Sequence, residues 1–132
     1  MIHVEHLIRK FANVTAVNDV SFDVPQGEIV GLLGPNGAGK TTIMRILTGF
    51  IAPSSGKVTI DGLDITHRSR KIKSIIGYLP ENNPLYEDMR VDEYLRYRAG
   101  LYGLPSQKLK VSIRIAEERC WITDVAHRII GT

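Results

Sequence analysis

The opening residues, MIHVEHLI, alternate apolar and other side chains and predict a strand. FANVTA reads as a loop. VNDVSFDV alternates again: Val20, Phe22 and Val24 share one face, and Val17 sits one register off. PQGE, residues 25–28, reads as a turn. IVGLL, residues 29–33, is a continuous apolar run and predicts a strand buried on both faces. In TTIMRILTGF, Ile43, Ile46, Leu47 and Phe50 recur at helical spacing, and Gly49 lies near the helix end. KVTIDG reads as a strand running into a turn, and SIIGYLP, 74–80, as another core strand. Beyond ENNPLYED, which reads as a loop, the period changes. VDEYLRYRAGLYG carries a helical stripe at 91, 94, 95, 99 and 102, closed by Gly103 and Pro105. SQKLKVSIRIAEERC predicts a second helix with Ser106 as its N-cap. DVAHRII predicts a short third one. Strands therefore dominate to about residue 80 and helices follow, with no internal repeat.

The segment between the predicted strand at 29–33 and the helix that follows carries the chemistry. GLLGPNGAGKTT contains G-x-x-x-x-G-K-[ST] as Gly34, Gly39, Lys40 and Thr41. A polyphosphate presents dense negative charge. Backbone N–H groups surround it only where side chains do not block the approach, and a helix N-terminus adds a favourable dipole. Lys40 supplies a compact cation for the β- and γ-phosphates. Thr41 offers its hydroxyl to Mg²⁺, and Thr42 is placed for the α-phosphate. The segment predicts a nucleoside triphosphate with Mg²⁺, and leaves the base and the use of the energy open.

Composition adds limits. The chain has 132 residues, one domain or most of one by length. It is expected to be globular and soluble. Its apolar runs fall far short of the ~20 residues needed to cross a bilayer, and the N-terminus has no export pattern. One cysteine, Cys120, allows no internal disulfide. Residues 1–80 carry nine Lys/Arg against six Asp/Glu, and residues 81–132 carry eight against eight. The dense basic run HRSRKIK, 67–73, has no interleaved aromatics, so it reads as a solvated face and not as a nucleic-acid patch.

Taken together, these segments resemble the ATP-binding subunit of an ABC transporter. LIRKFANVTAVNDVSFDVPQGEIVGLLGPNGAGKTTIMRILTGFIAPSSGKVTIDG is similar to that family's opening segment, and GPNGAGKTT is far more specific than the general phosphate-loop pattern. IGYLPENNPLYEDMRVDEYLRYRAGLYGL is similar to the exporter and gliding-motility branches. The likeness spans essentially the whole chain. It implies an α/β fold: a P-loop NTPase core of the ABC ATPase type with an antiparallel β-subdomain, over 1–87, and an incomplete helical subdomain over 88–132. ATP and Mg²⁺ are the implied cofactors. Phe11 stands where the family stacks an aromatic on adenine, and Val17 packs beside the nucleotide. Gly34, Pro35, Asn36, Gly37, Ala38, Gly39, Lys40, Thr41 and Thr42 form the phosphate cradle. Thr41 and Glu81 are the implied metal contacts. Lys40 and Glu81 are the contributors to catalysis, in a catalytic set that is not complete. Glu81 departs from the family's usual glutamine. Arg90 departs from its usual threonine N-cap, although Asp92 and Glu93 still favour the helix dipole.

The resemblance also implies parts that these residues do not contain: the signature motif, the Walker B strand with its acidic pair, the D-loop and the switch histidine. His3, His6, His67 and His127 lie outside any switch context. The expectation is a truncated N-terminal part that binds ATP without hydrolysing it, with apolar edges left uncovered where central strands would come from elsewhere. In the full-length protein the implied partners are a membrane-spanning transporter subunit, contacted near 81–102, and a second ATP-binding subunit. The implied place is cytoplasmic, peripheral to the inner face of the cell membrane, with no nucleic acid. The other readings are a soluble ABC-type ATPase of translation or DNA repair, and a non-catalytic remnant.

Overall fold

The structure is a computed structural model that describes residues 1–67 and 69–132. It divides into two compact units, Met1–Tyr78 and Leu79–Thr132. Arg68, within the basic run, lies outside the described residues.

The first unit is built on a four-stranded antiparallel sheet in the order β2-β1-β3-β4. Strand β1 (Ile2–Phe11) and β2 (Val14–Val24) form a hairpin. The predicted loop FANVTA shrinks to Ala12 and Asn13, because Phe11 already pairs with Val14 and Ala12 takes a positive φ of 45°. β3 (Ser55–Ile60) lies on the other edge of β1 and turns through Asp61 and Gly62 into β4 (Leu63–Asp64). Both turn residues have positive φ, as a two-residue Asp-Gly hairpin requires.

A bulge resolves the register problem at Val17. Asp19, between Val17 and Val20 on β2, has a φ of 51°, and His6, before Leu7 on β1, has 48° at a separate irregularity. The pairing steps from Leu7↔Val20 to Arg9↔Val17, so Val17 and Val20 both turn to the core face.

Helix α1 (Lys40–Leu47) covers that face with Ile43, Ile46 and Leu47. They pack with Val4 and Leu7 of β1, Val17 of β2 and Val58 and Ile60 of β3. Ile65 and Ile72 complete the core. Gly49 ends the helix in a left-handed turn: its N–H donates to Ile46 and that of Phe50 to Arg45, at 2.9 and 2.8 Å. Phe50 lies past the helix end and is exposed, with its ring centre 5.6 Å from that of Tyr78.

Two predicted core strands are not strands. Residues 29–33 form no regular element, and Ile29 and Leu33 are 102% and 92% exposed. A buried strand needs neighbours for its N–H and C=O groups, and none of the described strands pairs with this run. Part of SIIGYLP instead ends a helix, α2 (Ser69–Ile75), and residues 76–80 follow without regular structure. The basic run is otherwise a solvated face as expected: Arg70, Lys71 and Lys73 are exposed and Ile72 alone faces the core.

The second unit holds α3 (Val91–Leu101) and α4 (Ser106–Arg119), where two helices were expected. Ser106 is the first helical residue of α4 and not its cap. Pro105 precedes the helix, and its carbonyl accepts the first bonds, from Lys108 and Leu109. The third helix is only a 3₁₀ turn at Thr123–Val125. The start of α3 lacks a capping side chain, because arginine has no acceptor to offer. The donors are met otherwise. Val91 and Asp92 donate to the carbonyls of Arg128 and Ala126, at 3.1 and 2.9 Å, and the Glu93 carboxylate accepts the Arg90 N–H at 3.0 Å. An apolar cleft of about 400 Å³ between α3 and the last residues is lined by Leu85, Val91, Leu95, Ile122 and Ile129.

Candidate functional site

The glycine loop runs from the exposed 29–33 segment into α1. Pro35 to Ala38 closes a tight turn, with the Ala38 N–H donating to the Pro35 carbonyl at 3.2 Å. Past that turn, the N–H groups of Gly37, Gly39, Lys40, Thr41 and Thr42 have no acceptor among the described residues. The first regular bond is that of Ile43 to Gly39, at 2.9 Å. A helix start leaves such donors unmet, and together with the dipole they form a site for an anion.

Lys40 folds over this loop. Its ammonium donates to the carbonyls of Gly34 and Pro35 at 2.6 and 2.7 Å. No carboxylate among the described residues pairs with it. Its charge is therefore met only by loop carbonyls, which are weaker partners than phosphate oxygens. Thr41 lies exposed on the first turn of α1, and Thr42 is half-buried.

Gly39 fixes the loop against the sheet. It has a φ of 87°, and a Cβ there would stand 2.2 Å from the Ala16 carbonyl oxygen and 3.4 Å from a methyl of Val17. Val17 itself is buried in the core. Only glycine satisfies both the left-handed dihedral and the close approach.

Phe11 closes β1 and is 42% exposed. Arg9 lies on the same side of the strand, two residues back, and its guanidinium carbon is 4.4 Å from the Phe11 ring centre. Arg9 Nη1 donates to the Ala52 carbonyl at 2.9 Å. Arg9 pairs with Val17, the residue after Ala16, whose carbonyl Gly39 approaches, and Phe11 stands two residues further along the strand. Sequence reasoning passed over Arg9. The signal was available, since residues i and i+2 of a strand share a face. Glu81 lies exposed in the second unit, among residues without regular structure.

A loop of unmet backbone donors, one lysine and a helix start, packed on a sheet, is the make-up of the P-loop fold class. The comparisons carry this to a family. Residues 17–132 match the family model described as ABC transporter. The chain is 40% identical over 119 residues to the ABC transporter ATP-binding protein NatA of Bacillus subtilis, covering 89% of this chain and 48% of that one. It is 35% identical over 126 residues to the probable multidrug ABC transporter ATP-binding protein YbhF of Escherichia coli, covering 96% of this chain and 22% of that one. A solved structure of an ATP-binding subunit of an ABC transporter superposes with a TM-score of 0.81 at 27% identity, over 97% of this chain and 53% of that one. The chain belongs to the family of ABC transporter ATP-binding proteins. It spans about half the length, or less, of these relatives. Among the described residues no helix is long and apolar enough to cross a membrane.

Proposed function

We propose that this chain binds ATP with Mg²⁺ and is the nucleotide-binding part of a subunit that powers transport across a membrane. The observation that carries this reading is the set of unmet N–H groups of Gly37, Gly39, Lys40, Thr41 and Thr42, with Lys40 bound only to loop carbonyls. The residues fit the cofactor. The loop from Gly34 to Ala38 would hold the β-phosphate, with the N–H groups of Gly39, Lys40 and Thr41 as further donors. Lys40 trades its two carbonyls for phosphate oxygens, which gain from its full charge. Thr41 would hold the metal through its hydroxyl, and Glu81 is proposed, from the family resemblance alone, as a metal or water contact. Mg²⁺ when bound supplies charge neutralisation at the phosphates. Thr42 meets the α-phosphate, and Phe11 stacks on the base.

The relatives' names support a transport role, and a membrane-spanning subunit and a second ATP-binding subunit are the proposed partners in the full-length protein, at the cytoplasmic face. These 132 residues contain no apolar strand ending in paired acids, so they are proposed to bind without turnover.

Titration calorimetry with ATP, with and without Mg²⁺, tests the reading. Saturable binding is expected, and Lys40→Ala is expected to weaken it about 10- to 100-fold, the worth of a hydrogen bond to a charged group. Binding indifferent to Lys40 would refute the phosphate site, and Lys40-dependent turnover would refute the claim of binding alone.

A further inference from the structure

Phe11 sits at the corner of a hairpin, half open to solvent. An aromatic ring in such a place rotates freely unless something holds it. Here one face is covered. The Arg9 guanidinium lies 4.4 Å from the ring centre, within the range of a cation–π contact. Arg9 is itself tied down, since Nη1 donates to the Ala52 carbonyl at 2.9 Å, in the segment between α1 and β3. Its Nε is buried and meets no acceptor among the described residues. A guanidinium free to choose would leave a position that strands one of its donors. The planar group is therefore held in place by its neighbours, and the Phe11 ring lies against a fixed surface.

We infer that Arg9 is a positioning residue for nucleotide recognition: it covers the inner face of Phe11 and orients the ring, so that only the outer face is left for a purine base. The inference rests on the proposed nucleotide site. It adds a layered order of guanidinium, phenyl ring and base, with the guanidinium pinned at Ala52. The strand register brings this stack to the phosphate loop. Arg9 pairs with Val17, the neighbouring Ala16 carbonyl is the point that Gly39 approaches, and Phe11 is two residues further along, about 7 Å at strand spacing. Pre-orienting the ring lowers the ordering cost of stacking, and that gain reaches only ligands that carry a base.

The experiment compares ATP with inorganic tripolyphosphate, which has the phosphates and no base, on the full-length protein. Arg9→Met keeps an unbranched apolar stem and removes the cation. It is expected to weaken ATP about three- to fivefold, the scale of an exposed cation–π contact, and to leave tripolyphosphate unchanged. Arg9→Lys, which keeps a cation without the planar face, is expected to recover part of the loss. On a Phe11→Ala background, Arg9→Met is expected to cost nothing further for ATP. Equal losses for both ligands would assign Arg9 a merely structural role and overturn the inference. So would unchanged ATP affinity in Arg9→Met, or a full additional loss on the Phe11→Ala background. Failure of the site itself reads differently: tripolyphosphate binding would then be missing or insensitive to Lys40→Ala, and the role of Arg9 would fall with it.

Discussion

Gly39 and Ala16 are in backbone contact: the position a side chain would take on Gly39 is 2.2 Å from the Ala16 carbonyl oxygen. The loop that carries Lys40 is thereby seated on β2, and the seating is a property of backbone and not of side-chain choice. Gly39→Ala must push the strand and helix apart while holding a φ of 87°. The expected cost is at least about 1–3 kcal/mol for the dihedral alone, before the clash. A urea melt measures it. An unchanged midpoint would mean that the loop moves away from β2 without penalty.

The core on α1 should answer to burial. Ile46 is fully buried and Met44, on the opposite side of the same helix, is 41% exposed. Ile46→Ala is expected to cost about 2–5 kcal/mol, and Met44→Ala much less. Similar losses from both would mean that this helix face does not pack as described.

Stability should also depend on pH through the β1–β2 bulge. His6 Nδ1 lies 2.7 Å from an Asp19 carboxylate oxygen, and this hydrogen bond, with the charge of Asp19 and a smaller push from Glu5, raises the His6 pKa above its ordinary value. A raised histidine pKa stabilises the fold fully below the unfolded value of about 6.5 and loses that contribution as pH rises through the folded value. The pair is exposed, so the effect is small. Asp19→Asn should be less stable than the parent at about pH 5.5 and indistinguishable at about pH 8.5 in chemical denaturation. A gap that grows with pH would reverse the assignment.

Glu81 offers a test of the proposed metal contact. A carboxylate near phosphates repels free ATP and favours the Mg²⁺ complex. Glu81→Gln should narrow the difference between ATP affinities measured with and without Mg²⁺. If the difference is unaltered, Glu81 does not meet the metal.

Much of this protein was legible before any coordinates. The alternation in β1 and β2, the stripe of Ile43, Ile46 and Leu47, and the helices from 91 and 106 follow from periods that local geometry imposes. The phosphate loop was legible because its chemistry is mostly backbone, and glycine and lysine at fixed spacing mark it. Other features needed the fold. The run 29–33 reads as a buried strand, yet a strand exists only with partners, and none of the described strands stands beside it. Val17 changes face because β2 bulges at Asp19, where three of its residues span two of β1, and that depends on pairing across the hairpin. The start of α3 is capped by carbonyls from Ala126 and Arg128, more than thirty residues away in sequence. The contact of Gly39 with Ala16 and the hold of Ala52 on Arg9 are of the same kind. Local periodicity encodes which face a residue shows to its own element, whereas the identity of the neighbour across a gap is settled only when distant segments close on one another.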